Sequence, residues 1–149
     1  MKPFKFRLQT KLNIASREEQ LAKEEMQLRV RERDRIQTEL EEIIDKQLEM
    51  EQSIKQLMQE GFCVDKYLLF NDYIPVLKEC RTIKEEDLAR AEHHIESARI
   101  ILIEKTRETQ TLSKLREKEW YIYLQELQKE EQKVIDEIAI NSHYRKNLV

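Results

Sequence analysis

The sequence contains very little glycine and proline: one glycine, Gly61, and two prolines, Pro3 and Pro75, in 149 residues. These residues supply the backbone conformations that tight turns need, so such a chain has few turns. Barrels, sandwiches and doubly wound α/β folds need many connections and are therefore disfavoured. We expect a small number of long elements instead.

Cysteine and long apolar runs are also scarce. The two cysteines, Cys63 and Cys80, do not form a CxxC pair, and we expect free thiols that pack as small hydrophobic groups in a reducing cytoplasm. Runs of consecutive apolar residues, such as 67–70 and 100–103, are far shorter than the roughly 20 residues that span a bilayer. The start of the chain lacks the apolar segment of a secretory signal, so a cytoplasmic location is expected.

Sequence signatures of catalysis are missing too. A single glycine cannot build the glycine-rich loops that bind phosphates. His93 and His94 are adjacent, so on a helix they would point about 100° apart, too divergent to share a metal ion. Carboxylate pairs need a pocket for acid–base chemistry, which a rod of two helices does not readily supply. We therefore expect no enzymatic activity, cofactor or metal.

What the chain does contain is charge and helix-forming residues. Charged residues make up 38% and apolar residues 40%, with a net charge of −3, a composition typical of long helices or coiled coils. The charge is uneven, because residues 1–17 carry five basic residues and no acidic one. This basic start suits an acidic partner, a membrane surface or nucleic acid, or is simply a solvated helix end.

The first part of the chain repeats apolar residues in alternating steps of four and three. Eleven of fifteen successive positions are apolar, the pattern of a left-handed coiled coil. These seam positions are Leu8, Leu12, Ala15, Glu19, Ala22, Met26, Arg29, Arg33, Ile36, Leu40, Ile43, Gln47, Met50, Ile54 and Leu57. Ile14, Leu21 and Leu28 form a second stripe beside the seam. One helix is predicted from about residue 4 to 60.

Gly61 stands where a helix often ends in a left-handed glycine, so a turn is predicted over 61–64. A short helical piece is predicted over 65–74, and Pro75 predicts a kink or a break after it. A long helix follows over about 76–142, with a stripe that includes Leu77 and Cys80, and then a frayed tail over 143–149. The whole chain, 1–149, is predicted to be one all-α domain.

Two long amphipathic helices joined at one turn must fold back as an antiparallel coiled-coil hairpin to bury their stripes. If the turn lies at 62–65, Phe4 meets Tyr123 and the C-terminal helix overhangs from about residue 124. If the turn lies nearer Pro75, the overhang begins near 135. The overhang keeps an apolar stripe that includes Leu127, Val134 and Ile138, so it is predicted to dock into another protein rather than fray.

Both ends of the chain resemble the FliJ family of the flagellar type III export apparatus. The resemblance rests on Phe4-x-Phe6-Arg7-Leu8-Gln9, on Glu18-Glu19-x-x-Ala22 and on Gln132-Lys133-x-x-Asp136-Glu137. It implies a non-catalytic, two-helix antiparallel coiled coil similar to the stalk of rotary ATPases. The family inserts the end that carries both termini into the flagellar export ATPase ring, contacts the cytoplasmic domain of the membrane export gate, and takes part in recycling export chaperones. Its location is cytoplasmic, at the inner membrane face of the flagellar base.

The resemblance, together with the apolar stripe of the overhang and the helical spacing after the turn, predicts two sets of contact residues. The predicted ATPase-binding residues are Arg7, Leu8, Gln9, Leu127, Gln132, Lys133, Val134, Asp136, Glu137 and Ile138. The predicted export-gate-binding residues are Tyr73, Leu77, Cys80 and Lys84, which fall on one helical face. The alternative is that Leu77 and Cys80 belong to the core.

Three other functions stay open at this point. The equivalent stalk of a virulence type III injectisome shares the pattern. A coiled-coil chaperone or adaptor would use the apolar stretch 62–76, which includes Phe62, Tyr67 and Phe70. A nucleic-acid-binding arm is disfavoured, because the arginines over 29–35 alternate with acids and spread around the helix instead of forming a basic face.

Overall fold

The computed structural model of the chain describes residues 3–61 and 63–146, with side chains as far as His143. Over these ranges the chain forms two long helices and no strand. Helix α1 spans Gln9–Glu60 and helix α2 spans Val64–Lys146. The two helices pack against each other, which confirms the predicted all-α hairpin.

The start of α1 differs from the prediction, because the helix begins at Gln9 and not near residue 4. The amide of Gln9 donates a hydrogen bond to the carbonyl of Phe6 at 3.2 Å, which closes a turn before the helix. If the helix continued toward the N-terminus, the seam position before Leu8 would be residue 5. Neither Phe4 nor Phe6 would then lie on the seam. Leaving the helix allows both rings to pack inward.

The predicted seam of α1 is the packed face of the helix. All fifteen seam positions are buried or half-buried, with Leu12, Ala15 and Leu40 the most buried. The second stripe is exposed instead, because Ile14, Leu21 and Leu28 each have more than half of their surface accessible. The alternation of four and three therefore identifies the packed face of α1, and the second stripe lies outside that face.

Gly61 ends the first helix as predicted. Its φ of 131° lies in the region that side chains disfavour, and α1 ends at the preceding residue, Glu60. The turn is shorter than the predicted 61–64, because α2 begins at Val64 and the amide of Tyr67 already bonds the carbonyl of Cys63 at 3.0 Å. Phe62 lies outside the described residues.

Pro75 does not interrupt the second helix. The predicted piece over 65–74 and the predicted helix over 76–142 are one continuous helix that contains Pro75. Pro75 and Asn71, whose carbonyl loses its amide partner, are both exposed, so water can reach the freed carbonyl. Leu77 is only 4% exposed, and its packing favours continuing the helix. A kink at Pro75 stays a prediction.

The packed face of α2 differs from the predicted stripe at one cysteine. Leu77, Ala91, Ala98 and Leu112 are buried, but Cys80 is exposed and Arg81 takes the half-buried position between Leu77 and Lys84. Cys63 is exposed as well. The expectation that both thiols pack as small hydrophobic groups was wrong, because one lies in the turn and the other lies beside the packed face.

The chain divides into two compact units. The terminal unit comprises residues up to Gln20 together with those from Glu104 onward, and the turn unit comprises Leu21–Ile103. Helix α2 continues to Lys146, beyond the predicted end at about 142. Of the predicted frayed tail, residues 147–149 lie outside the described residues.

Candidate docking sites

The terminal unit contains an aromatic cluster formed by Phe4, Trp120 and Tyr123. The ring centroids of Phe4 and Trp120 are 5.0 Å apart with an edge-to-face tilt of 74°. Phe4 lies 5.5 Å from Tyr123, and Tyr123 stacks on Trp120 at 5.5 Å. These separations are typical of favourable aromatic pairs. The predicted meeting of Phe4 with Tyr123 is therefore confirmed.

A small apolar core holds the N-terminal segment on the helices of the terminal unit. Phe6, Leu12, Ala15 and Leu112 are buried together, with Phe4 and Leu8 packed against them. Beside this core, a cavity of about 430 Å³ is lined by Phe4, Ser113, Arg116, Glu117 and Trp120. Trp120 is 44% exposed and Arg116 and Glu117 are exposed, so part of the indole and two charged side chains are accessible to a partner at this point.

Polar contacts also join the two helices of this unit. Lys105 donates a hydrogen bond from Nζ to Oε2 of Glu18 at 2.5 Å, and Thr106 bonds Glu19 at 3.5 Å. The hydrogen bond that Lys105 donates to Glu18 raises the pKa of Lys105, and the negative charge of the same carboxylate adds to the effect. Sequence analysis did not identify this contact, although it joins two oppositely charged residues beside the predicted seams of the two helices.

The end of α2 is an apolar stripe that no part of the described chain covers. Every residue from Gln128 to His143 is exposed, and Val134, Ile135, Ile138 and Ile140 each have more than half of their surface accessible. A shallow groove of about 410 Å³ is lined by Leu127, Glu130, Glu131, Val134 and Ile135. The exposed segment begins close to the earlier of the two predicted starts of the overhang.

All ten predicted ATPase-binding residues lie in the terminal unit. Arg7 is exposed, whereas Leu8, Gln9 and Leu127 are half-buried. The six from Gln132 to Ile138 are exposed and spread around the helix, with Val134 and Ile138 on one side. Gln132 lies on the other side and donates a hydrogen bond to Asp136 at 2.8 Å. Gln9 makes the same kind of bond to Asn13 at 2.8 Å.

The predicted gate-binding residues lie in the turn unit and divide into two pairs. Leu77 is buried, and Lys84 is half-buried with its Nζ bonded to Oε2 of Glu39 at 2.5 Å. Tyr73 and Cys80 are exposed. The four residues therefore do not form one accessible face, because two of them face α1.

Tyr73 also lines an apolar groove that sequence analysis did not identify as a unit. This groove of about 480 Å³ lies between Met50, Leu69, Phe70, Asp72 and Tyr73. Leu69 in its lining is well exposed, and Leu68 and Val76 on the same helix are about half exposed. The sequence feature that could have predicted this groove is the high apolar and aromatic content of 62–75. The seam pattern alone does not show which of these residues are exposed.

Two further properties concern chemistry and membranes. Within the described ranges, no three His, Cys, Asp or Glu side chains converge on a point where a metal ion would bind. Over the same residues, neither helix has a segment long and apolar enough to cross a bilayer.

Comparison with known proteins gives one result for the whole chain. The family described as FliJ, flagellar FliJ protein, matches residues 4–148. No curated protein and no solved structure matches the chain. The family match covers both terminal segments that carried the resemblance in the sequence.

Proposed function

We propose that this chain, which belongs to the flagellar FliJ protein family, is a non-enzymatic stalk that couples the flagellar export ATPase to the membrane export gate. Family membership makes it a flagellar export-related protein. The finer proposal is that the end of α2, with the N-terminal segment beside it, inserts into the ATPase ring. The chain would act in the cytoplasm, at the inner membrane face of the flagellar base.

The observation that carries this proposal is the exposed apolar stripe formed by Val134, Ile135, Ile138 and Ile140. A helix that leaves four large aliphatic side chains more than half exposed is expected to be covered in its working state. The proposed contact residues surround the helix, since Val134 and Ile138 lie on one side and Gln132 and Asp136 on the other. A partner that encloses the helix, such as the pore of a ring, would use all sides at once.

The proposed contact with the export gate involves fewer of the predicted residues than the sequence suggested. Leu77 and Lys84 are engaged with α1, so the accessible candidates are Tyr73 and Cys80, with the apolar groove that Tyr73 lines. Aromatic and aliphatic side chains of this kind are typical anchors of protein interfaces. A role in recycling export chaperones is part of the same proposal.

The test is titration of the full chain into the flagellar export ATPase from the same source, following ring assembly and ATP hydrolysis. We expect more hexamers and faster turnover at a few copies or fewer per ring. A variant that lacks residues 125–149 should lose both effects. A matched control is Tyr73→Ala, which changes the turn unit and should leave ATPase stimulation intact.

Two outcomes would contradict the proposal. If the folded, helical chain does not change assembly or turnover, the injectisome stalk or a chaperone role becomes the better hypothesis. The apolar groove beside Tyr73 is the observation that favours a chaperone, because it would offer an unfolded client an apolar surface. If the variant without 125–149 stimulates as well as the full chain, the end of α2 is not the insertion site.

A further inference from the structure

Helix α2 carries a second apolar stripe beside its packed face. It repeats in alternating steps of four and three, which is the spacing of a coiled-coil seam. We call this stripe the second seam, and its members are Leu69, Tyr73, Val76, Cys80 and Ile83. Each member comes directly before a buried or half-buried residue of the packed face, so the second seam lies about 100° around the helix from that face.

The second seam is accessible along its whole length. All five members are exposed, and Leu69 has 70% of its surface accessible. They lie on one continuous helix within the turn unit, so their arrangement belongs to a single compact unit. At one end of the second seam, Leu69 and Tyr73 line the apolar groove of about 480 Å³ together with Met50 of α1. A partner in this groove would therefore contact both helices.

A row of acidic side chains borders the second seam on the edge farther from the packed face. The acids recur every seven residues and all of them are exposed, and we call them the acid row: Asp65, Asp72, Glu79 and Glu86. No lysine or arginine lies three or four residues from Asp65, Asp72 or Glu79, so the helix does not neutralise these carboxylates itself. Residues that flank a seam at this spacing form the ion pairs between the helices of a coiled coil. The acid row is therefore placed to pair with basic side chains of another helix.

The acid row argues against a second copy of this chain as the partner. If two copies paired through their second seams in antiparallel orientation, each acid row would lie along the acid row of the other copy. Like charges placed opposite each other disfavour association. In a parallel pair, each acid row would meet the other edge of the second seam, where Leu77 is buried and Lys84 already binds Glu39. The favoured partner is therefore a different helix with basic side chains.

We propose that the second seam binds an amphipathic helix of another protein, with lysine or arginine flanking the apolar stripe of that helix. Steps of four and three fit the side chains of a helix, an exposed apolar stripe is expected to be covered, and the acid row favours basic neighbours. Exposed ion pairs contribute little each, so the apolar contact supplies most of the affinity and the charges select the partner. The inference rests on the proposed role of Tyr73 and Cys80 as contact residues, and it adds the shape and the charge of the helix that binds them.

The test measures binding of two designed helical peptides to the full chain by fluorescence anisotropy. Each peptide has four heptads, about 28 residues, with the same apolar stripe in steps of three and four. One peptide carries lysine on both flanks of the stripe and the other carries glutamate, so either binding direction is allowed. At low salt the lysine peptide should bind at least about tenfold more tightly than the glutamate peptide, and added salt should reduce the difference.

Reversing charges in the acid row should reverse this preference. The double variant Asp72→Lys with Glu79→Lys should bind the glutamate peptide more tightly than the lysine peptide. The matched control is Glu85→Lys with Glu92→Lys, the same change at two exposed acids seven residues apart on the other side of the packed face. It alters the net charge equally and should keep the preference for the lysine peptide. Circular dichroism should show equal helicity for all variants.

Three outcomes would overturn the proposal. The chain could bind neither peptide, it could bind both equally, or its preference could survive reversal of the acid row. A further variant, Val76→Asp, places a charge in the middle of the second seam and should abolish binding of the lysine peptide; unchanged binding would assign the contact to another surface. The peptide assay contains no gate domain, so this inference and the proposed gate contact, which Tyr73→Ala tests with the gate itself, can fail independently.

Discussion

At the scale of single residues, the contact between Glu39 and Lys84 links the two helices of the turn unit through charge. The hydrogen bond from Lys84 lowers the pKa of Glu39, and the hydrogen bond to Glu39 raises the pKa of Lys84. A lowered carboxylate pKa means that the folded state binds the proton less tightly than the unfolded state. The pair therefore stabilises the fold over the pH range in which both groups are charged. The lower limit of this range is set by Glu39 and the upper limit by Lys84.

The substitution Glu39→Gln should lower the melting temperature at neutral pH and lose its effect at both extremes. The contribution of Glu39 is present above its ordinary pKa of 4.5 and disappears as the pH falls through the lower, folded-state pKa. That of Lys84 is present below 10.5 and disappears as the pH rises through the higher, folded-state pKa. Thermal melts across pH measure this window, with Glu79→Gln as control. A difference that does not vary with pH would mean that the ion pair is not its cause.

At the scale of helices, the two halves of the predicted gate-binding face should respond differently to truncation. Leu77→Ala removes a side chain that is 4% exposed and should lower the free energy of unfolding by about 2–4 kcal/mol. Tyr73→Ala changes a residue that is 42% exposed and should cost about 0.5 kcal/mol or less. Denaturant titration measures both values. Equal losses would place Tyr73 in the packed face as well.

Substitutions of Tyr73 and Leu77 should also differ in their effect on binding affinity. Tyr73→Ala should weaken association with the cytoplasmic domain of the export gate, because its ring lines the exposed groove. Leu77→Ala should leave the affinity of the folded fraction unchanged, since its side chain faces α1. The reverse ranking of the two variants would contradict the proposed contact surface.

Sequence periodicity predicts the packed faces of these helices well and predicts their ends poorly. A regular alternation of four and three indicates which side of a helix is covered, and all fifteen predicted seam positions are buried or half-buried. The start at Gln9 and the continuity through Pro75 depend on tertiary packing, on the rings of Phe4 and Phe6 in one case and on Leu77 in the other. Local propensity does not contain that information.

Contacts between side chains that are distant in the sequence were predicted only in part. The meeting of Phe4 with Tyr123 followed from the position of the turn at Gly61. The bonds of Lys105 to Glu18 and of Lys84 to Glu39 did not, because long side chains beside a seam have several partners within reach. For the same reason, a shared helical face did not reveal that Lys84 is engaged while Cys80 is exposed.

At the scale of the whole chain, local stability should decrease sharply along α2. Residues 105–123 include the buried Leu112 and the cluster of Trp120 and Tyr123, whereas every residue over 128–143 is exposed. A helix that lacks tertiary packing is only marginally stable in water. Hydrogen exchange should therefore be slow over 105–123 and much faster over 128–146, since amides exchange through local opening.

Adding the export ATPase should reduce this difference in exchange rate if the end of α2 is the inserted segment. Enclosure of the helix by a ring covers its apolar stripe and suppresses local opening, so exchange over 128–146 should slow by at least about tenfold at saturation. Amides near Tyr73 are the internal control and should not change with the ATPase alone. Slow exchange over 128–146 in the free chain would mean that the stripe is already covered in solution. In that case its exposure would no longer argue for a docking site.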